Sequence, residues 1–135
     1  MPPDAPTGAC YSSAAVRSPA VGEQASVLVV EDDPALRLLA RVNLELEQFS
    51  VREAGTLEEA RAALAAERPG VVFLDVHLRG ESTDVLLGEL RRAGVPVVVV
   101  TGSADPEEYR DRADDVIGKP FEPSALVAAA RRFVG

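Results

Sequence analysis

Val27-Leu28-Val29-Val30-Glu31-Asp32-Asp33-Pro34 packs three structural signals into eight residues. Its first four residues form an unbroken apolar run. A strand with one wet face alternates apolar and polar residues, so an unbroken run predicts a strand buried on both faces, as in a parallel sheet covered by helices. Asp33 and Pro34 follow as a helix start, with Asp as N-cap and Pro at the first helical position. Leu36, Leu39, Ala40, Asn43, Leu44 and Glu47 then recur at helical spacing, mostly apolar on one side. A strand, an acidic turn and a helix are thus written in one short segment.

Outward from this segment the same unit repeats. Ser50 to Ala54 reads as a second strand, and Thr56-Leu57-Glu58-Glu59 is a capping box that opens a helix to about Glu67. Pro69-Gly70 ends it. Val71-Val72-Phe73-Leu74 is a third strand, closed by Asp75, and a loop over 76–82 leads to a third helix over about 83–92, broken at Gly94. Val95 to Val100 is a fourth strand, followed by Thr101-Gly102. Asp105-Pro106 predicts a short fourth helix to about Arg112. Val116-Ile117 is a brief fifth strand ended by Lys119-Pro120, and Pro123 opens a last helix to about Phe133. Five βα units in succession predict an α/β protein with a five-stranded parallel, doubly wound sheet between two layers of helices. Ligands of such sheets bind beyond the carboxyl ends of the strands.

Composition fits one domain. The 135 residues are 47% hydrophobic and 27% charged, with a net charge of −8. An acidic chain lacks the basic patch that nucleic acid or an anionic membrane requires, so neither is expected as a partner. The single cysteine, Cys10, cannot form an intramolecular disulfide. Thr7-Gly8-Ala9-Cys10 lacks the apolar region of a lipoprotein signal. No apolar run approaches the ~20 residues of a membrane span, and a cytoplasmic location is expected. Residues 1–25, rich in Pro, Ala, Ser and Gly and without a period, read as a disordered tail. The domain is expected over 26–135.

The polar residues at the predicted strand ends are Glu31, Asp32 and Asp33, then Asp75, Thr101 and Lys119. The inferred fold gathers them at one end of the sheet. Carboxylates at such range repel one another unless a cation neutralises them, and Mg²⁺, which takes hard oxygen ligands, suits the set. Asp75 could then act as a nucleophile on phosphorus, with Lys119 neutralising a further oxygen and Thr101 donating a hydrogen bond to it. Each residue also has a plain structural use: the acids as helix or loop caps, Thr101 as a turn residue, Lys119 as a solvated cation.

Taken together these stretches resemble the response-regulator receiver (CheY-like) family. Leu28-Val29-Val30-Glu31-Asp32-Asp33 looks like its first strand with the acidic pair, and Val72-Phe73-Leu74-Asp75 like the strand that carries the phosphoacceptor. Val99-Val100-Thr101-Gly102 and Lys119-Pro120-Phe121 match its hydroxyl and Lys-Pro-Phe segments. The resemblance covers about 26–135. It implies the flavodoxin-like three-layer fold and a phosphoryl group accepted on Asp75, with Thr101 and Lys119 as catalytic partners. Asp32 resembles the direct Mg²⁺ ligand and Glu31 its partner, often acting through water, while Asp33 is the helix cap. His77 stands where the family uses a backbone carbonyl as metal ligand, and Mn²⁺ is the implied substitute for Mg²⁺. The Lys119–Pro120 bond is typically cis. A sensor histidine kinase or histidine phosphotransfer protein would be the donor, and a downstream protein the target. Such a protein is no conventional enzyme, but catalyses its own phosphorylation and autodephosphorylation.

Departures from the family pattern are specific. Val116 stands three residues before Lys119, where an aromatic switch residue is usual; Arg79 replaces a common Pro; Ser82-Thr83 replaces Asp-Gly. The spacings from Asp75 to Thr101 and from Thr101 to Lys119 are each about four residues short, so the fourth helix should lose about one turn. These features resemble a group of single-domain alphaproteobacterial receivers with a short fourth helix and no switch aromatic. With Gly135 directly after the last helix, a stand-alone receiver is expected. Its rivals are a phosphorylation-independent binding module, a piece of a hybrid kinase, and a haloacid-dehalogenase-type phosphatase. The phosphatase needs a second Asp where His77 stands.

Overall fold

The computed structural model describes residues 25–102 and 106–134. The expected tail lies outside the described residues, except that Ala25 opens the first strand, and so does Asp105, the expected cap of the fourth helix. Strands β1 (Ala25–Val30), β2 (Phe49–Ala54) and β3 (Val71–Asp75) come first, and α1 (Pro34–Leu46) and α2 (Leu57–Ala66) lie between them in sequence. A two-residue hairpin, β4 (His77–Leu78) and β5 (Glu81–Ser82), leads into α3 (Asp84–Arg92). Strand β6 (Val97–Thr101), a 3₁₀ turn (Pro106–Tyr109), β7 (Asp115–Gly118) and α4 (Pro123–Val134) complete the order.

Five strands form one sheet in the order β2-β1-β3-β6-β7, and every neighbouring pair is parallel. The chain winds outward from β1 to β2 on one side, then crosses to β3 and winds the other way. The crevice at this reversal, beyond the ends of β1 and β3, is where such sheets bind ligands.

The apolar runs bury both faces of the sheet because successive side chains point to opposite sides. Val27, Val29, Val71, Phe73, Val98 and Val100 pack against Ala40 and Leu44 of α1 and Leu126, Ala129 and Ala130 of α4. Leu28, Val30, Val72, Leu74, Val97 and Val99 face Ala60 of α2 and Leu86, Leu87 and Leu90 of α3. The predicted three-layer sandwich is therefore observed.

Helix starts follow the sequence. Asp33 Oδ1 accepts from Ala35 N at 2.9 Å, and Thr56 Oγ1 accepts from Glu59 N at 3.0 Å. The Glu59 carboxylate reaches back one residue further than a capping box requires, accepting from Gly55 N at 2.7 Å.

Three segments differ from expectation. Strand β6 starts at Val97, because Val95 N closes α3 on Leu90 O at 3.0 Å and Pro96 has no N–H to give. The expected fourth helix is a single 3₁₀ turn followed by hydrogen bonds from Arg112 N and Ala113 N to Tyr109 O. Tyr109 and Ala113 are the side chains this stretch sends into the core, too little apolar surface to hold an α-helix this short. The loop expected over 76–82 is a hairpin, with Arg79 (φ 52) and Gly80 (φ 83) as its two turn residues. Two positive φ angles are the signature of a type I′ turn.

Candidate functional site

The sheet brings together the residues expected at its carboxyl end. Glu31 leaves β1 with 5% exposure, Asp75 ends β3 with 7%, and Thr101 ends β6 with 2%. One carboxylate oxygen each from Glu31, Asp32 and Asp75 lies within 4.8 Å of the others. Among the described residues this is the cluster of acids able to hold a metal ion. Lys119, just after β7, sets its Nζ 2.8 Å from Glu31 Oε1 and 3.2 Å from Asp75 Oδ2. The Lys119–Pro120 peptide is cis. Backbone placement is firm, since Lys119 N donates to Thr101 O at 2.8 Å and joins the ends of β6 and β7.

Charge in this cluster is poised. Burial raises the pKa of Glu31 above the usual carboxylate range, against the pull of its hydrogen bond from Lys119. Asp32 is less buried, and the hydrogen bond from the Arg79 backbone lowers its pKa. Burial of Lys119 works against its charge, yet the hydrogen bond to Glu31 and the charges of Asp75 and Glu31 outweigh it, and its pKa is raised. Two buried carboxylates share one ammonium group, which leaves negative charge at the mouth of the crevice. Hard oxygen donors at this spacing, with that surplus, fit a divalent cation.

The Asp33 side chain stays out of the cluster and caps α1, as expected, while its N–H donates to Glu31 Oε2 at 3.1 Å. His77 has an exposed side chain on β4. Thr83 N bonds Val76 O at 3.1 Å, so the next pair of the hairpin, His77 and Ser82, is a non-hydrogen-bonded one. Its carbonyl is thus left to a partner outside the ladder. A groove opens beside Asp75, lined among others by His77, Ser82, Thr101 and Tyr109. Val116, at the position without the switch aromatic, packs half-buried against the core.

Three further residues hold the site, and sequence reasoning missed their part. Arg37 Nη1 donates to Glu31 O at 2.8 Å while its Nε bonds Glu53 Oε1 at 3.0 Å. Arg79 N donates to Asp32 Oδ2 at 2.7 Å. Thr83, 3% exposed, sets its hydroxyl 2.7 Å from Asp75 O and 2.9 Å from Val76 O. For the last two the one local hint was Gly80 after Arg79, too little to place a hairpin. For Arg37 there was none, because an Arg on a helix is ordinarily solvated.

Residues 27–131 match the response regulator receiver domain family. The chain is 36% identical over 110 residues to the DNA-binding response regulator MtrA of Mycolicibacterium smegmatis, a match taking 78% of this chain and 48% of that protein. It is 36% identical over 114 residues to the nitrogen assimilation regulatory protein NtrX of Azorhizobium caulinodans, covering 78% of this chain and 25% of the relative. It therefore spans about half of the one and a quarter of the other. Among solved structures, the receiver domain of NtrX from Brucella abortus superposes with a TM-score of 0.73 at 32% identity, covering 80% of this chain and 97% of that one. A CheY-like receiver domain protein from Methanospirillum hungatei gives 0.72 at 28% identity, covering 82% and 93%. In sequence and in fold, this chain belongs to the response regulator receiver domain family of two-component signalling.

Proposed function

We propose that this receiver accepts a phosphoryl group on Asp75 and passes, stores or drains it. The observation that carries the reading is the convergence of Glu31, Asp32, Asp75 and Lys119, with a groove opening beside Asp75. The carboxylates of Glu31, Asp32 and Asp75, with the His77 carbonyl, would hold Mg²⁺, or Mn²⁺ in its place. When bound, the ion supplies charge neutralisation at the carboxylates and at a phosphoryl oxygen.

Lys119 Nζ donates to Asp75 Oδ2 at 3.2 Å, which fixes the carboxylate and leaves Oδ1 for the attack. An Asp75 oxygen attacks phosphorus in line with the leaving nitrogen of a donor phosphohistidine. The new O–P bond forms as the P–N bond breaks, and the imidazole takes its proton from solvent. Lys119 and the Thr101 hydroxyl would serve the transferred oxygens, whose charge grows in the transition state. Water entering by the same groove returns the carboxylate and inorganic phosphate. The chain thus promotes its own phosphorylation and dephosphorylation without being a conventional enzyme.

The donor would be a sensor histidine kinase or a histidine phosphotransfer protein. Output through protein contacts rather than nucleic acid agrees with the net charge of −8. A stand-alone, cytoplasmic receiver over 26–135 is the arrangement we favour, and no helix among the described residues is long and apolar enough to cross a membrane.

Incubation with acetyl phosphate and Mg²⁺, read by intact mass, tests the reading. Wild type should gain one phosphoryl group and Asp75→Asn none. The decay rate then separates a shuttle from a sink. If wild type gains none, with a cognate kinase also tried, the chain is a phosphorylation-independent binding module. The missing aromatic at Val116 is the observation that favours that second reading.

A further inference from the structure

Asp32 lies in the turn after β1 and Asp75 ends β3, and one short element touches both. The β4–β5 hairpin reaches the Asp32 carboxylate through Arg79 N at 2.7 Å. At its base the single proton of the Thr83 hydroxyl is shared between Asp75 O at 2.7 Å and Val76 O at 2.9 Å, which ties the start of α3 to the end of β3. Neither contact is what the local structure would ordinarily do. Thr83 is the N-cap of α3, where a hydroxyl usually accepts from the first helical turn, yet it makes no such bond. Ser82 Oγ takes over instead, accepting from Asp84 N at 3.1 Å. Arg79 sits at φ 52, a conformation that disfavours any side chain, and in it the backbone N–H of an exposed turn is aimed at a carboxylate.

We propose that the hairpin is a brace for the metal site, with Arg79 (through its N–H) and Thr83 (through its hydroxyl) as positioning residues for Asp32 and Asp75. The inference rests on the proposed Mg²⁺-dependent function. One held oxygen fixes the plane of the Asp32 carboxylate, and the held carbonyls fix where β3 releases the Asp75 side chain. Partners of this kind, one step removed from the ion, set metal affinity by orienting the ligands.

Calorimetric Mg²⁺ titration of the full chain, with thermal unfolding in chelator on the same samples, tests the brace. Thr83→Val keeps the shape and removes the hydroxyl; it should weaken Mg²⁺ binding about tenfold, while Thr83→Ser returns it to about the wild-type value. Arg79→Gly keeps the N–H and suits the turn, so it should bind as wild type does. A readout free of variants in the brace is amide exchange in the metal-free protein. There the Arg79 N–H should be protected, and Asp32→Ala should release it.

Free exchange of the Arg79 amide in wild type would overturn the proposal. So would wild-type Mg²⁺ affinity in Thr83→Val, or a Thr83→Ser protein that melts like wild type but binds no better than Thr83→Val. These outcomes leave wild-type Mg²⁺ binding intact and sink the brace alone. A wild type that binds no Mg²⁺ sinks the proposed function, and the brace with it.

Discussion

Lys119 is the residue on which the charge of the site turns. Its ammonium group lies within hydrogen-bond reach of both buried carboxylates, and it repels any second cation brought to them. Lys119→Met should therefore have two opposite effects. Metal-free stability should fall, because Glu31 and Asp75 lose their buried counter-ion. Affinity for Mg²⁺, read by calorimetry, should rise by about tenfold, the order expected for removing one like charge at this range in a half-buried setting. Tyr109 offers a separate test at high pH. Burial raises its phenol pKa above the ordinary value of 10.0, with Glu108 and Asp84 adding to it and Arg112 opposing. Above pH 10.0 the unfolded chain releases this proton before the folded one does, so the unfolded state gains and stability falls as pH rises toward the folded pKa. Denaturant titrations of wild type and Tyr109→Phe should show that alkaline loss in the wild type and a smaller one in the variant.

At the scale of the element, the helix starts were legible because a cap is a local device. Asp33-Pro34 and Thr56 with Glu59 needed nothing beyond their neighbours. Helix ends were less so. Helix α1 closes on Glu47 and then on Gln48 at φ 76, a position glycine usually takes. Gln48→Gly should relieve the strained backbone, and the gain should exceed the added freedom of the unfolded chain by about 0.5 kcal/mol, seen as a small rise in melting temperature. The hairpin and the 3₁₀ turn were not legible as such. Arg is a poor advertisement for a positive φ angle, and the turn after β6 carries the proline and acidic residues that could equally open an α-helix. The contact of Arg79 with Asp32, made across 47 residues of sequence, distinguishes the hairpin from an ordinary loop.

At the scale of the molecule, the site and the fold share their strands, so metal and stability are coupled. A ligand that binds only the folded state stabilises it by mass action, about 2.7 kcal/mol at a concentration one hundred times its dissociation constant. On the proposed function, saturating Mg²⁺ should raise the melting temperature, chelator should reverse the rise, and Asp32→Ala should abolish it. Calcium-free and magnesium-free controls in the same scan identify the ion responsible.

The sequence by itself determined the parallel sheet, the two helical layers and the end of the sheet at which polar residues gather. Those follow from the period of the apolar residues and the alternation of strand with helix, which are properties of neighbouring positions. It also carried the identities of Glu31, Asp32, Asp75, Thr101 and Lys119, since each lies at the end of a strand or within two residues of it. Folding in three dimensions was needed for Lys119 to bridge Glu31 and Asp75, for Arg37 to pin the main chain of Glu31, and for the hairpin to grip Asp32 and Asp75. Those contacts join residues far apart in the chain. Distance and direction between such residues are set by how the strands pair and twist, and no local pattern of residue types encodes them.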